Sequence, residues 1–428
     1  YQHYKPLTDI LTGSSPVIWG VLVAQTALVG LGLAPWWAAL RTWSKDNLRP
    51  WQVLLLGGVF FLSTTTVSED VTFFLREWAF ACCVQTVQLA NVALIALSLP
   101  SAAVRPLQQY VDRFIGAPAR NTVAQPGPPD RFACSLALWV VLLAALLNVL
   151  AYNRHPHVPD EVAYLTHAGF FANGALSMPA PAVPEAFDVY LMEVNGDRWY
   201  AVPPPGWPAM LAVGTLFDVP WLVNPMLAGV NLLLAYTLLR ELYPMRTARL
   251  AVLLLAVSPW YVFLGMSFMT HMFALTCALL ATLGVARARR TGNTAWTWGG
   301  GLALGAISMI RPLEAVAVAG LLGLWAIGVG GTRLRIAATS GLVAGALITG
   351  GLGLLYNRAL TGQPLQFPIN AYTDQLFGPN TNAYGFGPDR GMGWAFDPYP
   401  GHAPLDALIN TNLNVSTLNT ELFGWSIG

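Results

Sequence analysis

Ten apolar stretches, nearly free of charge, recur along the 428 residues: 16–40, 51–66, 78–99, 133–152, 219–242, 247–265, 267–286, 296–310, 311–329 and 336–357. About 20 such residues are what a helix needs to cross a bilayer. In lipid a helix satisfies its backbone polar groups within itself, which loops and open strands cannot do. Composition closes off the alternatives. Hydrophobic residues make up 55% of the chain and charged residues 10%, against about 25% charged in soluble domains. A water-soluble enzyme, a disordered chain and a coiled coil are excluded together. The fold class expected is an all-α polytopic membrane protein. Two stretches, 51–66 and 296–310, are short for a crossing. A further piece, 206–217, lies between Pro205 and Pro220 and reads as re-entrant or as part of a tilted helix.

The cations suggest sidedness. Fifteen of the 22 Lys and Arg fall in one set of loops, among them Arg49, Arg105, Arg131, Arg240, Arg249 and Arg335. The opposite set holds five: Lys5, Arg154, Arg198, Arg358 and Arg390. An excess of Lys and Arg marks cytoplasmic loops. Two long loops, 153–206 and 358–404, are then extracytoplasmic. Ten of the 21 acids lie in them or just after, so the chemistry is expected on that side. Residues 1–99 read as an N-terminal unit of about three spans. Residues 100–131, polar and rich in Pro and Arg, read as a cytoplasmic linker. Residues 132–428 form the main module, and 405–424, with many Asn, reads as a half-buried helix.

Net charge is +1, which leaves no bulk field for nucleic acid, and none is expected as a partner. The four cysteines, Cys82, Cys83, Cys134 and Cys277, sit in apolar stretches and form no metal-site spacing. The chain begins at Tyr1 and stops in an apolar stretch at Gly428, so both ends read as trimmed.

The most informative stretch is AYNRHPHVPDEVAYLTHAGFFANG, residues 151–174. Pro159 stops extended chain, and Asp160 can cap the helix that follows. Val162, Leu165 and Ala168 or Gly169 recur on one helical face, which suggests an amphipathic helix on the outer membrane surface. Asp160 and Glu161 then stand at its N-terminus. In the plain reading Asp160 is only a cap and Glu161 a solvated first-turn acid. In the sharper reading a carboxylate at the water–lipid boundary accepts a proton from an acceptor hydroxyl.

An Asp-Glu pair followed by Tyr164, Ala168 and Gly169, soon after the span 133–152, resembles the GT-C membrane glycosyltransferases. The branch it is most similar to holds the protein O-mannosyltransferases, the aminoarabinose transferases and related bacterial enzymes. RWYAVPPPGWPAMLAVG (198–214) resembles the family's Pro-Pro entry to the next membrane segment. Residues 248–287 resemble its Ala-rich span, Ser-Pro break and following span. YGFGPDRG (384–391) and LNTELFGWS (418–426) resemble outer-loop and late-helix patterns. The resemblance covers about 133–428. The family's His before the Pro pair is replaced here by Ala201-Val202.

The resemblance implies a GT-C-like helix bundle with outer-surface amphipathic helices, in the bacterial cytoplasmic membrane with its active-site loops outward. It implies a sugar moved from a polyprenyl-phosphate donor to an extracytoplasmic acceptor. The first-loop acid maps to Asp160, with Glu161 beside it. Glu185, Asp188 and Glu193 are choices for a second loop acid. Arg311, in SMIRPLEAV, is the leading phosphate-binding cation, since Arg within a span is costly and its fork suits phosphate. A structural pair with Glu314 is the alternative. His271 is either a satisfied interior residue or a donor to phosphate, and Arg390 and Arg358 are weaker cations. Tyr164, Tyr384, Phe386 and Trp394 offer rings or hydroxyls to sugar or acceptor, or anchor the chain at the interface. A divalent metal is the other means of holding the phosphate, with His155 and His157 its only ligand-type pair nearby. A non-catalytic subunit that docks a membrane protein partner through residues 1–130 is the competing function. A transporter is a third, weakened by the lack of a repeat.

Overall fold

The computed structural model describes residues 13, 15–64, 71–116, 126–391 and 401–422. The chain is an all-α polytopic membrane protein with one very small sheet. Six described helices are long and apolar enough to cross a membrane: Trp19–Asn47, Ala81–Ser98, Arg131–Leu150, Pro220–Leu242, His271–Thr291 and Ile336–Thr361. A seventh crossing is made if Met245–Ala256 and Pro259–Met266, bent by 60° at their junction, count as one span. The ten expected spans are thus too many. Residues 296–329 divide into helices of 14 and 15 residues that meet at Arg311, and Pro50–Leu62 has only 13. At 1.5 Å per residue each of these is shorter than the roughly 30 Å hydrocarbon core. Pro312 explains the division, because a proline cannot continue a helix whose preceding turn needs its N–H.

Contacts divide the chain into two compact units, Tyr1–Arg113 with Tyr384–Gly428, and Phe114–Ala383. In the first unit, α1 (Pro16–Leu33) packs on α4 (Val71–Ser98). Between them come α2 (Trp37–Asn47) and α3 (Pro50–Leu62). The late helix α17 (Pro404–Glu421) rests on α3. Its buried Asn412 donates to the Leu62 carbonyl at 3.0 Å and to that of Thr64. The expected linker opens with a regular helix, α5 (Ser101–Ile115).

In the second unit, α6 (Arg131–Leu150) is capped by Asp130, which accepts from Ala133 N at 3.0 Å. The same carboxylate accepts from Tyr236 Oη at 2.7 Å and pairs with Arg249 at 2.8 Å. Burial opposes that charge, yet these donors hold the Asp130 carboxyl below its ordinary range. Next come α7 (Pro159–Ala172), α8 (Gly206–Thr215) and α9 (Val223–Leu242). Helix α8 is ten residues long, half a crossing. The bent pair is α10 (Met245–Ala256) and α11 (Pro259–Met266), followed by α12 (His271–Thr291). Then follow α13 (Ala295–Ser308), α14 (Pro312–Ala326), α15 (Ile336–Thr361) and α16 (Pro368–Phe377).

Small residues let these helices approach closely, the usual means of helix packing in lipid. Helix α13 lies between α12 and α15. A Cβ at Gly345 would stand 2.7 Å from the Trp298 carbonyl, and one at Gly284 2.5 Å from that of Trp296. Gly301 and Gly305 press the same way on the carbonyls of Leu342 and Ala346. Above α7 a three-stranded antiparallel sheet runs β1 (Met178–Pro179), β3 (Arg198–Ala201), β2 (Met192–Asn195), with Glu193 opposite Tyr200. A second small core joins Ala163, Phe170, Tyr200, Tyr356, Leu360 and Tyr372 beneath this sheet.

Candidate active site

Helix α7 begins two residues earlier than an Asp160 cap would place it. Val158 holds the cap position and Pro159 the first helical one. A proline suits that place, since its φ is preset and its missing N–H is not needed there. Asp160 therefore lies inside the first turn and caps nothing. Nor does α7 show a simple amphipathic face. Glu161, Ala163, His167, Ala168 and Phe170 are buried while Val162 and Leu165 are only partly so. The helix is covered by α8 on one side and the sheet on the other.

Glu161 is not solvated. It is completely buried. Its Oε2 accepts from His157 N at 2.9 Å and its Oε1 from Phe268 N at 2.9 Å. Two backbone donors per carboxylate compensate for the cost of burying the charge.

Phe268 lies in the break between α11 and α12, where several backbone groups lose their helical partners. Side chains from other helices supply them. Asn148 donates to the Met266 carbonyl at 2.5 Å. Asn224 donates to the carbonyls of Ser267 at 2.6 Å and Met269 at 2.8 Å. Trp207, fully buried, donates its indole N–H to the Phe268 carbonyl at 2.8 Å. Asn231 donates to Met272 at 2.8 Å and accepts from Thr276 at 2.7 Å. Non-helical backbone at membrane depth persists only with such partners.

This anchored break presents Thr270 and His271 to Arg311, which stands at the second break, between α13 and α14. The Arg311 guanidinium is bonded to Glu314, to Thr270 Oγ1 at 3.2 Å and to His271 Nε2 at 3.1 Å. Arg311 forms the structural pair with Glu314 that was the alternative expectation, and it also reaches across to His271. A guanidinium only donates, so His271 Nε2 accepts and the imidazole proton sits on Nδ1. That Nδ1 is buried without a hydrogen-bond partner.

Asp160 is half-buried, and its carboxylate makes no hydrogen bond or ion pair among the described residues. Its charge is felt by two phenols. Burial first, and Asp160 next, hold Tyr164 well above the ordinary tyrosine range, while Arg311 acts on the same ring in the opposite sense. Burial, then Asp160 and Tyr372, raise Tyr190 as well. Asp160, Tyr164 and Arg311 therefore share one electrostatic neighbourhood. Of the three loop acids, Glu185 and Asp188 are exposed, and Glu193 is half-buried with its carboxyl raised by burial.

Tyr384 and Arg390 belong to the first unit, apart in the chain's organisation from Asp160, His271 and Arg311 in the second. Tyr384 is exposed. Trp394 lies outside the described residues. The rings of His155 and His157 are 5.2 Å apart, and His157 Nε2 lies 3.0 Å from the Tyr152 carbonyl. Among the described residues no three His, Cys, Asp or Glu side chains come together as metal ligands.

Three features were not anticipated. His167 is fully buried beneath the sheet, with Nε2 3.3 Å from Tyr356 Oη, and burial pushes its pKa down to about 3. An apolar cavity lies beside it, lined by Val202, Pro205, Met309, Tyr356 and Phe367 among others. The third is the set Asn148, Trp207, Asn224 and Asn231. Polar residues within apolar runs are the only signal that could have marked it.

A bundle of apolar helices, broken at 267–270 and at 309–311 with polar groups gathered at the breaks, defines a polytopic membrane protein. Residues 209–350 match the family model described as dolichyl-phosphate-mannose-protein mannosyltransferase. The match spans about a third of the chain, includes His271 and Arg311, and leaves Asp160 outside it. It bears out the resemblance read from the motifs and supports a membrane glycosyltransferase of the GT-C type. No curated protein and no solved structure matches the chain.

Proposed function

We propose that the protein transfers a sugar from a polyprenyl-phosphate donor to an acceptor hydroxyl on the extracytoplasmic side of a bacterial inner membrane. The observation that carries this reading is the pairing of an unengaged carboxylate, Asp160, with the Arg311–His271 pair around Tyr164. The acceptor oxygen attacks the anomeric carbon as the bond from that carbon to the phosphate oxygen breaks. Asp160 takes the acceptor's proton. The departing polyprenyl phosphate keeps the bonding electrons, and Arg311 with the His271 Nδ1–H stabilises its charge. Glu161 positions the site by tying α7 to the break that carries Thr270 and His271. Tyr164 faces the reacting groups. Glu193 contacts sugar or acceptor from the sheet. Among the described residues, those near His155 bring no three ligand-type side chains together.

The test is transfer in proteoliposomes, alongside mass spectrometry of lipids that co-purify in mild detergent. Recovery of a polyprenyl phosphate from wild type, and loss of transfer by about 10²-fold or more in Asp160→Asn with an unchanged melting temperature, is the expected result. Full transfer by Asp160→Asn would remove it from the base role. Bulk phospholipid alone in the purified protein, with no transfer from any polyprenyl donor, would overturn the reading.

A further inference from the structure

Helix α5 carries an apolar stripe that the proposed transferase chemistry does not use. Its sequence is SAAVRPLQQYVDRFI. Val104, Leu107, Tyr110 and Phe114 are 37%, 65%, 60% and 55% exposed. At about 100° per residue these four fall within roughly 120° of the helix circumference. Arg105, Gln108, Gln109, Asp112 and Arg113 occupy the opposite side. The helix has 15 residues, or roughly 22 Å, and three charges in its middle and last turns, so it is too short and too polar to cross.

Its position settles what covers the stripe. The preceding span, Ala81–Ser98, exposes Leu89, Val92, Ile95 and then Leu99 along one line. Those residues face lipid if the span crosses. Only Leu99 and Pro100 separate that span from α5, a reach of about 7 Å. Pro100 ends the span, so α5 starts at the level where the span leaves the hydrocarbon. A helix there, with an apolar stripe on one side and Arg105 and Arg113 on the other, has the pattern of one lying in the membrane plane.

We infer that Ser101–Ile115 is an in-plane membrane-surface helix, with Val104, Leu107, Tyr110 and Phe114 sunk at the boundary of headgroups and acyl chains. Arg105 and Arg113 stay at headgroup level, where anionic lipid favours them. The segment then fixes the depth of the first unit at one membrane face and is no free linker.

The test uses the full chain with its four cysteines replaced by serine, in nanodiscs of phosphatidylcholine and phosphatidylglycerol. Single spin labels are placed through Leu107→Cys, Phe114→Cys and Gln109→Cys, and relaxation by oxygen is compared with relaxation by a water-soluble nickel chelate. Labels at 107 and 114 should be relaxed several-fold more by oxygen than by nickel, and the label at 109 the reverse. Equal nickel access at all three positions would make the helix a solvated linker. Protection of 107 and 114 from both reagents would show a protein surface covering the stripe. Either result overturns the inference.

Discussion

Glu161 and Phe268 stand 107 residues apart in the chain, yet the carboxylate of one accepts the backbone N–H of the other at 2.9 Å. That bond joins the start of α7 to the break between α11 and α12. Asp160, next to Glu161, is held in place by it. Thr270 and His271, just beyond Phe268, are held by the same contact. Two adjacent acids thus divide the work. One is fully buried and fully bonded, and the other is left open.

The division predicts opposite outcomes for two conservative changes. Glu161→Gln removes one of two acceptors and turns an amide donor toward a backbone N–H. A loss of about 1–3 kcal/mol of stability is expected, read as a lower melting temperature. Asp160→Asn should leave stability within about 0.5 kcal/mol while transfer is lost. Equal stability of the two variants would show that the Glu161 contact holds nothing together.

Arg311→Lys keeps a charge but loses the fork that meets Glu314, Thr270 and His271 together. Transfer should fall by about 10²-fold or more, as when one transition-state donor is removed. Glu314→Gln should cost less, because Arg311 keeps its other two partners. Steady-state kinetics with varied donor lipid distinguishes the two, and unchanged kinetics in Arg311→Lys would remove Arg311 from the phosphate role.

Asn224→Ala leaves the carbonyls of Ser267 and Met269 without their donor. Each buried orphan costs about 1–3 kcal/mol. Thermal unfolding in detergent should show a clear drop, and Asn224→Asp, which supplies no donor, should drop similarly. A melting temperature unchanged in both would mean that water replaces the amide.

His167 makes stability depend on acid. Its ordinary pKa is 6.5 and burial lowers it to about 3, so the unfolded chain takes up the proton first. The full stability is present above pH 6.5 and is lost as pH falls toward 3. By pH 5 the loss attributable to this group is about 2 kcal/mol. Melting temperatures of wild type and His167→Gln at pH 7.5 and 5 should differ in their pH response. Parallel curves would show that His167 does not titrate this way.

Much of the architecture was legible in the residues. The apolar runs, the Ser-Pro at 258–259 and the proline after Arg311 all mark where helices run and stop. The span count was overestimated because hydropathy does not distinguish a crossing from a short helix sunk in protein. Within the expected linker 100–131, the helix Ser101–Ile115 is hidden for a related reason. Polar and apolar residues that look mixed in sequence separate cleanly once wound at 3.6 per turn.

The sequence by itself determined that this chain belongs in a membrane, that helices start at Pro259 and Pro312, and that Asp160, Glu161 and Arg311 stand near the ends of apolar runs. Those are local properties of composition and backbone chemistry. Only the tertiary structure decided which of the two acids is buried, and that Arg311 meets His271 forty residues away in the chain. It alone decided that Asn148, Trp207, Asn224 and Asn231 converge on the break at 266–272. The physical reason is that carbonyls freed by a helix break leave no mark in sequence. An asparagine in an apolar run announces that it needs a partner, and only the packing of the helices selects which one.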